Sequence, residues 1–274
     1  MALFLVATPI GNLKDVTERA KEILAKASAV VAEDTRRTGQ LLRHLNIEKP
    51  LVRYDEHVHA REAPRLVDRL VAGEDLALVT DAGTPGLSDP GGRLVTLAVE
   101  RGVMVVPIPG PSALLTALAG SGLPWDRFTF LGFLPRRSGR FCRELESAGK
   151  ERTVVFYESP HRVVAALEAA LLVYGDVPAA VGRELTKMHE EFIRGRLSEV
   201  ARVLKERNKI LGEITVVIAP QLGEVNFPLL SGEGRVRDSV STKNVFPSSA
   251  ARGQMPPSRH LLPRGEGKTL GEKP

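Results

Sequence analysis

The chain has 274 residues, enough for one large or two modest domains, and 43% of them are hydrophobic, as in globular proteins with a buried core. Its formal charge of +5 favours an anionic partner such as nucleic acid. A single cysteine, Cys142, excludes an internal disulfide. No apolar run reaches the roughly 18 residues of a membrane-spanning helix, so we expect no membrane association.

The chain begins with an apolar segment, residues 1–7, that has no basic leader and no small-residue cleavage site. We interpret this segment as a first strand and expect a cytoplasmic location. Further short apolar runs follow, separated by segments with helical spacing of their apolar residues. Strands are predicted over 3–7, 29–32, 51–54, 76–80 and 103–108, and helices around 16–27, 66–71 and 112–119. Strands that alternate with helices predict a largely parallel sheet, in an N-terminal α/β domain over residues 1–120.

The pattern changes after residues 120–126 (GSGLPWD), which are typical of a linker. Strands are predicted over 128–133, 153–157, 177–182, 191–195 and 212–219, with helices over 161–174 and 197–205. We interpret residues 121–220 as a second α/β domain with room for antiparallel pairing. Residues 221–274 are rich in Pro, Gly, Ser and Arg without periodicity, so we predict a disordered tail.

Three loops follow predicted parallel strands at their carboxyl ends, where ligands bind in open α/β sheets. They span residues 8–12 (TPIGN), 80–92 (TDAGTPGLSDPGG) and 107–113 (PIPGPSA), and none contains the dinucleotide motif G-x-G-x-x-G. The second loop has four glycines, two prolines and two aspartates, more than a plain turn needs. We expect it to offer backbone groups to a zwitterionic ligand. In the third loop, Ser112 is a predicted helix N-cap.

Charged residues follow other strand ends, in residues 33–39 (EDTRRTG), 156–162 (FYESPHR) and 183–187 (RELTK). Surface salt bridges are the alternative explanation of the first cluster, and an ionised pair packed between the domains would explain either of the other two without catalysis. Two arginine groups, one at Arg36, Arg37 and Arg43 and the other at Arg136, Arg137, Arg140 and Arg143, are expected to flank the mouth of a cleft and attract a polyanion. Solvated loops are the alternative. No cluster has metal-ligand spacing, so no metal site is predicted.

Seven strings occur in a fixed order along the chain: VATPIGNL, AEDTRRTGQLL, TDAGTPGLSDPG, PIPGPSALLTAL, FLGFLP, FYESPHR and RELTK. Together they resemble the ribosomal RNA small subunit methyltransferase I family of the tetrapyrrole methylase superfamily. The resemblance covers about residues 3–220. It implies two α/β domains with the cofactor in the cleft between them, and a homodimer.

The resemblance implies S-adenosylmethionine as methyl donor and 2′-O-methylation of a cytidine ribose in the decoding region of small-subunit ribosomal RNA. It places the cofactor against Pro9, Ile10, Gly11, Asp81, Ala82, Gly83, Thr84, Ser112, Ala113, Tyr157 and Gly212. Two departures stand out: residues 54–59 match the family only loosely, and the tail lacks the small helical extension that relatives often carry.

A ribose hydroxyl is a weak nucleophile, so a base or a cation near it is expected. The charged candidates are Glu33, Asp34, Arg36, Glu158, His161, Glu184 and Lys187. We favour Glu158, Glu184 and Lys187 as catalytic residues, and Arg36, Arg37, Arg136, Arg137 and Arg140 as contacts to RNA. The alternatives are a methyltransferase acting on a porphyrin or corrin precursor, and a catalytically silent RNA-binding factor in ribosome assembly.

Overall fold

A computed structural model of the chain describes residues 1–222 and 230–233. The first part forms a five-stranded, fully parallel sheet. Its strands are β1 (Ala2–Val6), β2 (Ala29–Ala32), β3 (Leu51–Arg53), β4 (Leu76–Val79) and β5 (Met104–Ile108). In space they follow the order β3-β2-β4-β1-β5. This part therefore has the parallel sheet that the alternating apolar pattern predicts.

Helices cover both faces of this sheet. They are α1 (Glu18–Lys26), α2 (Thr35–His44), α3 (His59–Val71) and α4 (Gly91–Glu100). Leu24 of α1 and Leu42 of α2 pack on one face, whereas Leu66 of α3 and Leu94 of α4 pack on the other. The connections after β1 and β2 thus turn to one face, and those after β3 and β4 turn to the other. Such a reversal between neighbouring strands opens a crevice at their carboxyl ends.

Helix α5 (Ala113–Ser121) leads into the second part of the chain. Although it follows β5, its apolar residues Leu114, Ala117 and Leu118 pack against strands of the second sheet. The helix is apolar around most of its circumference, as expected for a buried helix. It ends at Gly122, whose φ of 75° gives the left-handed cap that favours glycine.

The second sheet has six strands in the order β11-β9-β8-β10-β7-β6. They are β6 (Phe128–Phe133), β7 (Thr153–Glu158), β8 (Pro178–Arg183), β9 (Glu191–Arg196), β10 (Ile214–Ile218) and β11 (Leu230–Glu233). Only the β6–β7 pair is parallel within this sheet, and the other pairs are antiparallel. Helices α6 (Ser138–Ala148), α7 (Val163–Tyr174) and α8 (Leu197–Lys205) bury the face opposite α5.

The α/β architecture with two sheets is confirmed, and every predicted strand is present within two residues of its expected bounds. Helices α2, α4 and α6 were not predicted. The two sheets belong to one compact unit, and the domain limits 1–120 and 121–220 stay a prediction. Within the predicted tail, 221–274, the four residues of β11 form a strand on β9. Residues 223–229 and 234–274 of that tail lie outside the described residues.

No helix among the described residues has the length and the apolar composition needed to cross a membrane. Within the same residues, no group of three or more His, Cys, Asp or Glu side chains is arranged to hold a metal ion.

Candidate active site

A cavity of about 470 Å³ lies between the carboxyl ends of the first sheet and the second sheet. Its volume falls within the range of small-molecule sites. From the first part of the chain it is lined by the loops after β1, β2, β4 and β5. From the second it is lined by the ends of β6 and β7, by Leu185 and by residues 212–215. Both halves of the chain therefore build one cavity.

The loops after β1 and β4 are tied directly to each other. Thr8 N donates to Gly83 O at 2.9 Å, and Gly83 N donates back to Thr8 O at 3.0 Å. Thr8 Oγ1 also donates to Thr80 O at 3.0 Å. Gly83 has a φ of 88°, which favours glycine. The backbone N and O of Gly83 thus join the two loops, and the positive φ, not a lack of space for a side chain, accounts for glycine at this position.

The loop after β4 is joined to two more elements. Thr84 Oγ1 donates to Pro111 O at 3.1 Å, which links it to the third loop. Asp81 accepts a hydrogen bond from Asp34 N at 3.1 Å, and its Oδ2 lies 3.5 Å from Arg37 Nη1. In the third loop, Ser112 caps α5 by accepting from Leu115 N, as predicted. These bonds hold the wall in one arrangement before any ligand binds.

An aromatic group forms the wall contributed by β6 and β7. The ring of Tyr157 lies 5.0 Å from that of Phe130 and 5.4 Å from that of Phe133, measured between centroids. Burial raises the pKa of the Tyr157 phenol, so it stays protonated at neutral pH. Phe133 is 65% exposed although it lines the cavity. An exposed aromatic ring at a cavity rim is suited to stacking against a flat ligand.

Glu158 lines the cavity, but its side chain is only 2% exposed and is engaged by neighbours. Its Oε1 accepts from Ser159 N at 2.7 Å, and its Oε2 lies 3.1 Å from Arg162 Nη2 without hydrogen-bond geometry. Arg162 Nη2 also donates to Leu134 O and Pro135 O at 3.2 and 3.0 Å. The pair therefore anchors the turn after β6, which carries Phe133 on one side and Arg136 on the other.

Glu184 and Lys187 lie beside the cavity and do not line it. Lys187 Nζ donates to Glu184 at 2.7 Å and to Glu213 at 3.2 Å, and Glu213 N donates to Glu184 at 2.9 Å. Burial is the largest single influence on Glu184 and opposes its ionisation, but the hydrogen bonds from Lys187 and Glu213 N and the charges of Lys187 and Arg183 together lower the pKa of the carboxyl. Glu184 packs so closely on Gly212 that a Cβ there would overlap its carboxyl group. This network supports the segment 212–213 of the cavity wall.

Nine of the eleven predicted cofactor residues line the cavity: Ile10, Asp81, Ala82, Gly83, Thr84, Ser112, Ala113, Tyr157 and Gly212. Pro9 and Gly11 do not. A Cβ built on Gly11 points away to the segment 185–187, at 2.9 Å from Leu185 O and in overlap with Lys187 Cγ. Gly11 thus lies where the two halves of the chain meet.

The predicted RNA-contacting arginines fall into two positions. Arg37 lines the cavity in contact with Asp81, whereas Arg36, one residue earlier, has a side chain that is 94% exposed. Arg136, Arg137 and Arg140 are exposed on the turn after β6 and at the start of α6. Both groups follow cavity-lining residues, Glu33 in one case and Phe133 in the other.

Several lining residues were not assigned to the site from the sequence: Leu87, Ser88, Asp89, Phe133, Ser159, Pro160, Leu185, Glu213, Ile214 and Thr215. Residues 87–89 lie within the predicted second loop, so the density of Gly, Pro and Asp already marked them. Asp89 holds that loop by accepting from Gly86 N at 2.9 Å and from Gly91 N at 2.8 Å. Phe133 could also have been assigned to the site from the sequence, because it is the last residue of a predicted strand and many of the other lining residues lie at strand ends.

Comparison with known proteins places this site in a family. The sequence pattern described as Tetrapyrrole (Corrin/Porphyrin) Methylases matches residues 2–201. The chain belongs to the tetrapyrrole methylase family. Two curated relatives are both named ribosomal RNA small subunit methyltransferase I. The one from Halalkalibacterium halodurans is 47% identical over 79% of this chain and 75% of its own length. The one from a Hydrogenobaculum species is 45% identical over 81% and 96%.

A solved structure of this methylase fold is that of uroporphyrin-III C-methyl transferase from Thermus thermophilus, complexed with S-adenyl homocysteine. It is 20% identical, has a TM-score of 0.55 and covers 79% of this chain and 97% of its own. The likeness confirms the predicted tetrapyrrole methylase-like fold. As a member of this family, the chain is a methyltransferase.

Proposed function

We propose that this methylase transfers a methyl group from S-adenosylmethionine to the 2′-hydroxyl of a cytidine ribose in the decoding region of small-subunit ribosomal RNA. The observation that carries the proposal is the convergence of the family-typical loops on one cavity of about 470 Å³. The names of relatives at 45–47% identity support the choice of ribosomal RNA. A cytoplasmic location is part of the same proposal.

The residues of the cavity fit S-adenosylmethionine in charge and shape. The ligand carries a positive sulfonium, a positive amine and a negative carboxylate, and among the described residues the cavity is lined by five carboxylates and one arginine. Tyr157 and Phe133 offer aromatic surface to a flat base. The Thermus thermophilus relative of the same fold holds S-adenyl homocysteine, which supports this assignment. Asp81 to Thr84, Ser112 and Ala113 are the residues that would hold the ligand.

When bound, S-adenosylmethionine supplies a methyl group that is already activated for displacement. The protein then has to orient the accepting hydroxyl and exclude competing water. The hydrogen bonds among Thr8, Gly83, Thr84 and Pro111 fix one cavity wall for this purpose. The anchor formed by Glu158 and Arg162 fixes the opposite rim.

The exposed arginines provide the contacts to ribosomal RNA in this proposal. Arg36 precedes the cavity-lining residue Arg37 in the chain. Arg136, Arg137 and Arg140 come shortly after the rim residue Phe133. Phosphate contacts by arginine release counterions, so affinity depends steeply on salt. We also propose a homodimer. Exposed apolar side chains, such as Met188 at 89% and Leu211 at 54%, offer surface for a second copy. Light scattering tests this directly.

The decisive experiment measures transfer of a labelled methyl group to small ribosomal subunits, naked ribosomal RNA and uroporphyrinogen side by side. We expect transfer to the ribosomal substrate, and mapping of the label should place it on a cytidine 2′-oxygen. Transfer to uroporphyrinogen alone supports the porphyrin alternative. RNA binding without any transfer supports the silent assembly factor.

The RNA-binding surface is tested by the triple variant Arg136→Ala, Arg137→Ala and Arg140→Ala. Each lost phosphate contact reduces the slope of log affinity against log salt by roughly one, so we expect weaker binding of small subunits with a flatter salt dependence. Cofactor affinity should not change, because none of the three residues lines the cavity. A variant with the wild-type affinity and slope contradicts this docking surface.

A further inference from the structure

The carboxylates of the cavity differ in what already binds them. Five line it among the described residues: Glu33, Asp81, Asp89, Glu158 and Glu213. Four of these have partners. Asp81 accepts from Asp34 N, and Asp89 from Gly86 N and Gly91 N. Glu158 is bound by Ser159 N and Arg162, and Glu213 by Lys187.

Glu33 is the exception among these five. It makes no hydrogen bond or ion pair with any residue that the structure describes. It is half-buried directly after β2, the neighbour of β4 in the sheet. Its carboxylate therefore has lone pairs available to a ligand in the cavity.

The backbone on both sides of Glu33 is fixed. Ala32 O accepts from Tyr54 N at 2.8 Å, and Asp34 N donates to Asp81 at 3.1 Å. Asp34 also caps α2 by accepting from Arg36 N at 2.8 Å. The fixed backbone and the half-buried position of Glu33 limit where its side chain can reach, and its carboxylate oxygens are free to accept a hydrogen bond from a ligand in the cavity.

We propose that Glu33 is the general base that accepts the proton of the substrate hydroxyl during methyl transfer. The inference rests on the proposed function. The hydroxyl oxygen forms a bond to the methyl carbon while the sulfur–methyl bond breaks, and that bond's electron pair stays on sulfur. The hydroxyl proton passes to the Glu33 carboxylate, and solvent later removes it. The positive charge of the sulfonium is thereby lost as one proton is released.

The charges around Glu33 favour this role. Burial and then the nearby carboxylates of Asp81, Asp89, Asp55 and Glu56 raise the pKa of Glu33. Two arginines contact these carboxylates among the described residues: Arg37 lies 3.5 Å from Asp81 in the cavity wall, and Arg53 pairs with Asp55. A carboxylate with a raised pKa binds a proton more strongly and is the more effective base near neutral pH.

The test compares Glu33→Gln and Glu33→Asp with wild type in single-turnover methyl transfer to small ribosomal subunits. Gln keeps the shape but takes no proton, so we expect a loss of about 10²- to 10⁴-fold in the rate constant. Asp should retain part of the rate. The affinities for S-adenosylmethionine and for the subunit should stay within about threefold. Glu56→Gln is the matched control, because it removes one nearby negative charge outside the cavity lining, and it should keep most of the rate.

Two further measurements do not rely on the rate at one pH. The wild-type rate should fall on acidification through a carboxyl pKa, and Glu33→Gln should lose that inflection. In the protein without cofactor, the ¹³C signal of the Glu33 carboxyl should titrate above the ordinary glutamate value. An ordinary titration, or a Gln variant with the wild-type rate, overturns the inference but leaves the proposed function intact. Absence of transfer by wild-type protein overturns the proposed function, and this inference with it.

Discussion

Gly11 lies where the loop after β1 meets the segment 185–187, beside the lining residues Ile10 and Leu185. Gly11→Ala adds one methyl group at this junction. The added carbon would lie 2.9 Å from Leu185 O and from Thr186 Oγ1, and would overlap Lys187 Cγ. Lys187 cannot move freely, because Glu184 and Glu213 both hold its ammonium group. Relief of the contact therefore requires the two segments to move apart.

The size of the effect follows from these distances. Ordinary contacts begin at 3.4 Å, so the carbonyl of Leu185 must move by roughly half an ångström. Overpacking of this kind costs about 1–3 kcal/mol. For a chain of this size, that corresponds to a drop in melting temperature of about 2–4 °C for each kcal/mol. Since Ile10 and Leu185 would separate, we also expect the affinity for S-adenosylmethionine to fall by about tenfold, or about 1.4 kcal/mol.

Calorimetry for the affinity and thermal unfolding for the stability provide the measurements. Gly39→Ala is the matched control, because Gly39 lies inside α2 and its added carbon would meet Leu51 Cδ1 at an ordinary 3.5 Å. That variant should be more stable than wild type by about 0.5–1 kcal/mol, since alanine is the better helix former. If Gly11→Ala keeps both the wild-type melting temperature and the wild-type affinity, the junction does not set the width of the cavity.

Three more perturbations test other parts of the structure. Glu191 accepts hydrogen bonds from Arg207 and then Arg183, which lower the pKa of its buried carboxyl, so Glu191→Gln should reduce the free energy of unfolding by about 3 kcal/mol at neutral pH. The folded pKa of Glu191 lies below the ordinary 4.5, so the stability that its ionised carboxylate contributes is present above pH 4.5 and is lost as the pH falls through the folded pKa. Denaturant unfolding of both proteins should therefore show a smaller difference in unfolding free energy between variant and wild type at pH 3 than at pH 7. Arg162→Ala leaves the Glu158 carboxylate without its cation and should lower stability by about 2–4 kcal/mol, whereas Arg162→Lys, which lacks the forked guanidinium, should recover only part in the same assay. A chain that ends at Leu222 lacks the β11–β9 ladder and should melt a few degrees lower than one that ends at residue 240; equal melting temperatures mean that the strand adds no stability.

The strands could be predicted because most are short runs of mainly apolar residues that can be recognised from a few neighbouring positions. β2 and β6 have the predicted bounds: β2 is a run of small apolar and β-branched residues between Ser28 and Glu33, and β6 is rich in Phe and ends shortly before Pro135. Helix α2 gives a much weaker signal. Its sequence is TRRTGQLLRH, with a glycine inside and only Thr38 and Leu42 buried. Helix α4 starts with two glycines at the end of the second loop, so the loop pattern hides its beginning.

The candidate site was predictable in its loops but not in its contacts. The density of Gly, Pro and Asp marks residues 80–92 as a ligand loop in any arrangement of strands. The bond between Thr8 and Gly83 requires β1 and β4 to be neighbours, and that order comes from long-range pairing. The same holds for Glu158: its sequence context resembles a catalytic carboxylate, and only the fold reveals that Arg162 pairs with it and also donates to Leu134 O. Its catalytic role stays a prediction.

The distribution of charge assigns different tasks to the inside and the outside of the cavity. Carboxylates line the interior, where a cationic methyl donor gains from them, and the exposed arginines lie on segments that continue from the lining. Arg37 belongs to both regions, since it contacts Asp81 and is adjacent to the exposed Arg36. A negative interior discourages phosphate groups from entering, so in our proposal the RNA backbone stays on the arginines and only the ribose hydroxyl reaches Glu33. Specificity for an extended polyanion and affinity for a cationic donor therefore do not compete for the same surface.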